Sequence, residues 1–123
     1  SLPGWLPWVA VLLGVLGWGV HLWAIAVNRY FALYVRIQQD RGHQVISDGP
    51  YQFVRHPGYS GWLLFSLVTP LILGSWWAYI PTVLILGLTV WRTAREDQTL
   101  QAELAGYKAY TRQVRYRLLP GIW

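Results

Sequence analysis

Two stretches of the chain, residues 1–27 and 57–91, contain no Lys, Arg, Asp or Glu, and every charge falls in 28–56 or 92–123. Within the first, Trp5 to Val27 form an apolar run of 23 residues with His21 as its one ionisable group. At roughly 1.5 Å per residue a helix of that length is about 34 Å long, enough to span a bilayer with some tilt. Ala10, Gly14, Gly17, His21, Ala24 and Asn28 recur at spacings of 4, 3, 4, 3 and 4, which lines small and polar residues along one helix face. That face calls for a close helix partner. Packing through small residues is its expected role, with ligand lining as the alternative that an intramembrane His favours.

The second apolar stretch, Tyr59 to Trp91, is too long for one ordinary span and is punctuated by Pro70, Gly74-Ser75 and Pro81. It predicts a helical hairpin over 58–73 and 77–98, with Trp76, Trp77 and Tyr79 as an aromatic anchor at the far interface. The first arm, about 24 Å by the same rise, is short for a full crossing. Residues 29–41 are mixed and read as helical, with Phe31, Tyr34, Val35 and Gln38 on one side. A polar loop follows over 42–57. It holds the turn signal Ser47-Asp48-Gly49-Pro50, and Pro57 restricts His56 to extended geometry. Beyond Arg92 the helix is expected to leave the membrane as an amphipathic segment carrying Leu100, Leu104, Tyr107 and Val114, with Gly106 as a weak point. The tail Arg115 to Trp123 alternates basic and apolar residues and suits an extended strip on the headgroups or over a site. The fold class expected is therefore all-α: an integral membrane helical bundle with one N-terminal transmembrane helix (5–27), a hairpin (58–98) and an amphipathic C-terminal helix and tail (99–123), in a single domain.

Composition agrees with that solvent. The chain is 54% hydrophobic and 12% charged, where an average soluble domain is about a quarter charged. A net charge of +5 would suggest nucleic acid in a soluble protein, but blocks of Arg flanking apolar spans are what the positive-inside bias produces. Both charged blocks are expected on the cytoplasmic side of a bacterial inner membrane or an endoplasmic-reticulum-type membrane, with lipids as partners and no nucleic acid. There is no Cys, which excludes disulfides, thiolate nucleophiles and Cys-based metal sites. The chain starts at Ser1 without a basic leader and reads as a fragment or processed form.

Few familiar site patterns are present. There is no P-loop and no HExxH; Gly14, Gly17 and Gly19 lie inside an apolar helix, and three scattered His do not argue for a metal. What remains is the polar loop up to Tyr59 and the charged helix exit Arg92 to Asp97, brought to one membrane face by the hairpin between them. Arg92 and Glu96 are four apart, so they share a helix face and can jointly present a guanidinium and a carboxylate to a ligand. The plainer alternative is a helix-end ion pair worth about half a kcal/mol or less.

The order of these pieces resembles the isoprenylcysteine carboxyl methyltransferase family, integral membrane enzymes grouped with the phospholipid methyltransferases. The resemblance is carried by Val35-Arg-Ile-Gln-Gln-Asp-Arg-Gly-His43, by Gly49-Pro-Tyr-Gln-Phe-Val-Arg-His-Pro-Gly-Tyr-Ser-Gly61 and by Arg92-Thr-Ala-Arg-Glu-Asp97. Tyr107-x-x-Tyr110 and the ending Val114-Arg-Tyr-Arg-Leu-Leu-Pro-Gly-Ile-Trp123 complete it over about residues 30–123. It implies an S-adenosylmethionine-dependent enzyme that methylates a lipid-like or prenylated acceptor, a carboxylate above all. It also implies that Gly49, Pro50, Tyr51, Arg55, His56, Pro57, Tyr59, Glu96 and Asp97 enclose the cofactor. Asp97 stands where such enzymes have a second Glu, which keeps the charge and shortens the reach.

The cofactor's chemistry matches these residue types. Its carboxylate calls for Arg55 and His56, its ammonium and ribose hydroxyls for Glu96 and Asp97, and its adenine for a flat slot such as Tyr51, Pro57 and Tyr59 offer. Arg92 and Glu96 are the expected catalytic pair, with Arg92 holding an anionic acceptor. Such enzymes usually have further membrane helices before the matched region, so the expectation is either a chain lacking them or a small member that forms homo-oligomers through its first helix. Two other readings stay open. A sterol-reductase-like membrane protein binding NADPH would share the Tyr-Arg-Leu-Leu-Pro-Gly type of ending, and a non-enzymatic scaffold would use the basic loops on anionic lipid.

Overall fold

The computed structural model describes residues 2–31, 37–38 and 42–123, among which the regular elements are all helices. Four α-helices follow in order among the described residues: α1 (Leu6–Val27), α2 (Pro57–Leu73), α3 (Tyr79–Glu103) and a short α4 (Tyr107–Gln113), with 3-10 turns at Gly49–Gln52 and Trp76–Ala78. Among the described residues α1 is the one helix long and apolar enough to cross a membrane, and α2 is a shorter apolar helix. The most apolar window of α1 is only 22% buried, with Trp5, Trp8, Leu12, Val15 and Leu16 turned outward. A helix this apolar at the centre of a water-soluble domain would hide those side chains.

The small-residue face of α1 finds its partner inside the chain. Ala10, Gly14, Gly17 and Ala24 are its buried residues, and they pack on α2. A Cβ added to Gly17 would lie 2.7 Å from the Gly61 carbonyl oxygen, so the two backbones touch and neither glycine has room for a side chain. The packing role expected of this face therefore holds, and α2 occupies the surface through which oligomers were expected. His21 contributes a polar tie across the same seam: its Nδ1 donates to the Gly58 carbonyl at 2.8 Å, since a carbonyl oxygen can only accept.

The hairpin forms much as its punctuation predicts. Gly74 adopts a left-handed φ of 67° after α2, and the Ser75 N–H returns to the Pro70 carbonyl at 3.0 Å, a glycine-terminated helix end. Trp76 and Trp77 stand exposed at the turn. Two expectations need correction. The chain beyond Arg92 is not one amphipathic helix. Helix α3 continues to Glu103, past the expected end at 98, until Leu104 turns extended and Gly106, at φ 85°, opens α4. Residues 29–41 were expected to be helical; of these, 29–31 and 37–38 are described and are not, and α1 ends at Asn28, whose side chain accepts the Tyr30 N–H at 2.9 Å. That local bond competes with helix continuation. Gln38 is buried, with its amide donating to the Tyr30 carbonyl at 2.7 Å, and neither it nor Phe31 is helical. Tyr34 and Val35 lie outside the described residues.

The core of the charged end is built by Ala24, Tyr51, Leu104, Tyr107, Tyr110 and Val114, with Leu100 packed against them. The apolar spacing read from Leu100 to Val114 thus describes one buried side, wrapped across a helix break.

Candidate functional site

The loop before α2 is shaped by a tight turn and then pinned from both sides. Gly49, at φ 56°, packs under Trp23 and opens the 3-10 turn. Tyr110 donates to the Tyr51 carbonyl at 2.6 Å, and the Asn28 amide donates to the Tyr51 hydroxyl at 2.9 Å. Burial, only partly offset by that bond, pushes the Tyr51 hydroxyl up to about 12, so it keeps its proton. Further on, His56 takes φ −129°, ψ 62°, outside the helical region, as a residue before proline is pressed to do. Pro57 then starts α2, where the missing N–H leaves no intrahelical bond unmade.

Asp97 joins this loop to α3. Its side chain is 1% exposed, and each oxygen is crowded with donors. Oδ1 meets His56 Nε2 at 2.9 Å and the Tyr107 hydroxyl at 2.8 Å. Oδ2 accepts from Gln101 Nε2 at 2.6 Å and lies 3.4 Å from both Arg55 Nη2 and Arg117 Nε. Burial alone would raise the carboxyl, but the bond and charge of His56, the Tyr107 hydroxyl and Arg55 outweigh it and hold the group down at about 2. Tyr107 is pushed far upward by burial and by the neighbouring carboxylate, and it acts as a permanent donor.

Among the described residues, two cavities lie beside this hub, and six of the expected site residues line one or both of them. The polar one is narrow, about 60 Å³, and is walled by the loop, by 43–46 and by α3. Tyr51, Arg55, His56, Tyr59 and Glu96 line it. Gly49, Pro50, Pro57 and Asp97 do not line it; they form the turn, the helix start and the hub behind its walls. The second cavity is an apolar groove of about 530 Å³ between α1, α2 and α3, lined by His21, Ile25, Trp62, Leu88, Thr89 and Arg92. Phe31 and Tyr59 belong to both. Arg92 donates from Nε to the Tyr59 hydroxyl at 2.7 Å, and that hydroxyl also feels the Glu96 charge. The pair four residues apart is therefore linked through a tyrosine shared by both spaces.

Among the described residues, three buried side-chain polar atoms lack a hydrogen-bond partner: Arg55 Nε, Glu96 Oε2 and Arg117 Nε. Arg117 Nε still faces Asp97 as a charge contact. Orphaned buried groups are rare in folded proteins, and two of these belong to residues lining one cavity. A positive and a negative side chain on that cavity, each with hydrogen-bonding capacity unused within the protein, suit a ligand with a carboxylate and an ammonium. Sequence reasoning did not single out Asn28, Tyr30, His43, Tyr107 and Tyr110 as cavity walls. The spacing of Tyr107 and Tyr110, one helical turn apart, was the available signal for the last two.

Residues 8–102 match the model of the isoprenylcysteine carboxyl methyltransferase (ICMT) family. Among curated relatives, the chain is 37% identical to the Arabidopsis thaliana protein-S-isoprenylcysteine O-methyltransferase B over 49 residues, 40% of this chain and 25% of that one. It is 31% identical to the Schizosaccharomyces pombe protein-S-isoprenylcysteine O-methyltransferase over 83 residues, 65% and 34% of the two chains. With the Dictyostelium discoideum protein-S-isoprenylcysteine O-methyltransferase the match is 29% over 123 residues, 94% of this chain and 49% of its relative. The chain thus spans a quarter to a half of the length of these relatives. The family match covers most of the chain and includes the loop, the hub carboxylate and both cavities' principal residues, so the chain belongs to the isoprenylcysteine carboxyl methyltransferase family.

Proposed function

We propose that this chain forms the cofactor and acceptor sites of a membrane methyltransferase, which transfers a methyl group from S-adenosylmethionine to the carboxylate of a prenylated or lipid-like acceptor at the cytoplasmic face. The carrying observation is the pair of unpartnered buried atoms, Arg55 Nε and Glu96 Oε2, on residues of one polar cavity. Arg55 is suited to the cofactor's carboxylate and Glu96 to its ammonium or ribose hydroxyls. Tyr51 and Tyr59 supply aromatic wall for the adenine. The cavity is too narrow for a nucleoside as it stands, so binding is expected to push the 43–46 wall outward, against the stacking of His43 on Tyr30 at 4.2 Å.

The sulfonium of S-adenosylmethionine carries an already activated methyl group, so little acid–base chemistry is asked of the protein. Arg92, held by Tyr59 at the apolar groove, is suited to bind the acceptor's carboxylate, and the groove's apolar walls suit the prenyl chain. The membrane reading is supported by the outward apolar face of α1, by the exposed Trp76 and Trp77 and by the confinement of charge to one end. Isothermal titration of the purified chain with S-adenosylhomocysteine tests the assignment. Glu96→Gln is expected to weaken binding about ten- to a hundredfold, the weight of one charge-assisted hydrogen bond. Glu103→Gln, exposed at the end of α3, is expected to leave it unchanged. Equal affinities for the wild type and Glu96→Gln, or binding of NADPH in its place, would remove this site.

A further inference from the structure

We propose that the C-terminal tail is the positioning element of the cofactor site, and that Arg117 is the residue through which it acts. The inference rests on the reading of that site given above and concerns a residue that lines neither cavity. Three successive tail carbonyls are bonded to the segment that opens α2. The Arg55 N–H donates to the Tyr116 carbonyl at 2.8 Å, the His56 N–H donates to the Arg117 carbonyl at 2.9 Å, and the Ser60 hydroxyl donates to the Leu118 carbonyl at 2.7 Å. Arg55 and His56 precede the first helical residue, so α2 itself offers their N–H groups no acceptor. Both residues are buried, and water is a poor substitute there. Without the tail this backbone would be left unpaired at the cavity wall.

The side chain of Arg117 then reaches α3 behind the cavity wall, lying 3.4 Å from Asp97 Oδ2. One residue therefore ties the loop through its carbonyl and α3 through its guanidinium. Charge balance indicates what the second tie is for. Asp97 already has the buried Arg55 beside it, and one carboxylate needs one cation, so Arg117 is redundant for neutralisation and its contribution is geometric. Its side chain is 32% exposed and lies over the Trp123 ring at 4.8 Å, at the rim of the hub. Glu96 adjoins Asp97 in sequence, and Arg55 touches it in space. Loosening the Asp97–Arg117 contact therefore displaces the two groups that carry the orphaned atoms together.

The test uses one readout that needs no cofactor and one that does. Amide hydrogen exchange of the detergent-solubilised chain is expected to become about tenfold faster at Arg55 and His56 in Arg117→Ala, with the α1 amides unchanged and Arg112→Ala, exposed on α4, without effect. S-adenosylhomocysteine affinity is expected to fall about tenfold in Arg117→Ala and to recover in part in Arg117→Lys, which restores the charge without the planar fork. Should Arg117→Ala fail to fold, Ser60→Ala removes a single tail bond and is expected to show the same pattern about threefold in size. Unchanged exchange at Arg55 and His56 overturns the strap. Faster exchange with unchanged affinity overturns the positioning role. A wild-type chain that does not bind S-adenosylhomocysteine instead overturns the cofactor reading, while the exchange data still decide whether the tail holds the loop.

Discussion

The polar cavity and the apolar groove share two walls, Tyr59 and Phe31, and differ in nearly everything else. Around the cavity, Asp97 gathers His56, Tyr107, Gln101, Arg55 and Arg117 from four different parts of the chain, and the interior left is about 60 Å³. Around the groove, α1 and α2 meet backbone to backbone at Gly17 and Gly61, yet α3 stands off and leaves about 530 Å³. The same three helices are thus fixed at one end and splayed beside it. The difference matches what each space is proposed to hold. Charged groups act over short, directional distances and need walls that do not yield, whereas an apolar chain is accepted by any dry surface of the right width.

The largest expected effect breaks the rigid side. Asp97→Ala leaves Arg55, His56 and Arg117 facing one another without their shared anion, and removing one partner from a buried ionic cluster costs about 3–5 kcal/mol. Unfolding in mixed detergent micelles measures it, with Leu88→Ala on the groove as comparator, expected to change stability by less than about 0.5 kcal/mol. Equal losses in the two variants would mean that the hub is no stiffer than the groove.

The unequal legibility of the two regions follows from how far apart their contacts lie in sequence. Periodicity exposed what is local. The stripe from Ala10 to Asn28 announced the seam with α2, the four-residue step from Arg92 to Glu96 placed both on one face, and Pro70, Gly74 and Pro81 marked the hairpin. The meeting of the Arg55-His56 loop with the helix exit at Asp97 was expected from the hairpin and the resemblance, but the tie from Arg117 in the tail was not visible, because it lies 20 residues beyond Asp97 and leaves no periodic trace. Asp97 illustrates the cost. Its short side chain, which gave it less reach toward a cofactor, is spent on the loop, α4 and the tail. The turn at Asn28–Phe31 was missed for the opposite reason, since the side-chain bond from Asn28 to the Tyr30 N–H is a purely local competitor of the helix.

A second effect, smaller than the first, titrates the same carboxylate. The Asp97 carboxyl is held at about 2 against an ordinary 3.8, so the folded chain favours the deprotonated form. Its contribution is fully present above about pH 4 and is lost as the pH falls from there toward about 2. At about 1.4 kcal/mol per pKa unit this amounts to about 2 kcal/mol. Asp97→Asn is expected to be less stable at neutral pH and to lose this acid-limb dependence, while Leu88→Ala keeps it. Unfolding midpoints measured from pH 5 to pH 2 report the difference, and an acid limb that survives in Asp97→Asn would place the titrating group elsewhere.

The smallest effect on stability, and the most specific for function, belongs to the groove. Leu88 lines it from α3 and is 64% exposed, so Leu88→Trp adds bulk without displacing packed neighbours and is expected to change stability by less than about 0.5 kcal/mol. On the proposed reading, the added ring occupies space meant for the acceptor's apolar chain and excludes one or two isoprenoid methyl-bearing units from burial. Losing about 1.4 kcal/mol of that burial raises the KM for a long-chain acceptor about tenfold. A short-chain acceptor never reaches Leu88 and is expected to keep its KM. Affinity for S-adenosylhomocysteine is expected to stay within about twofold, because the polar cavity takes no wall from Leu88. Arg92→Ala provides the contrast: turnover falls for both acceptors alike, since the carboxylate is common to them. If Leu88→Trp penalises long and short acceptors equally, the groove does not receive the acceptor chain, and its openness needs another cause.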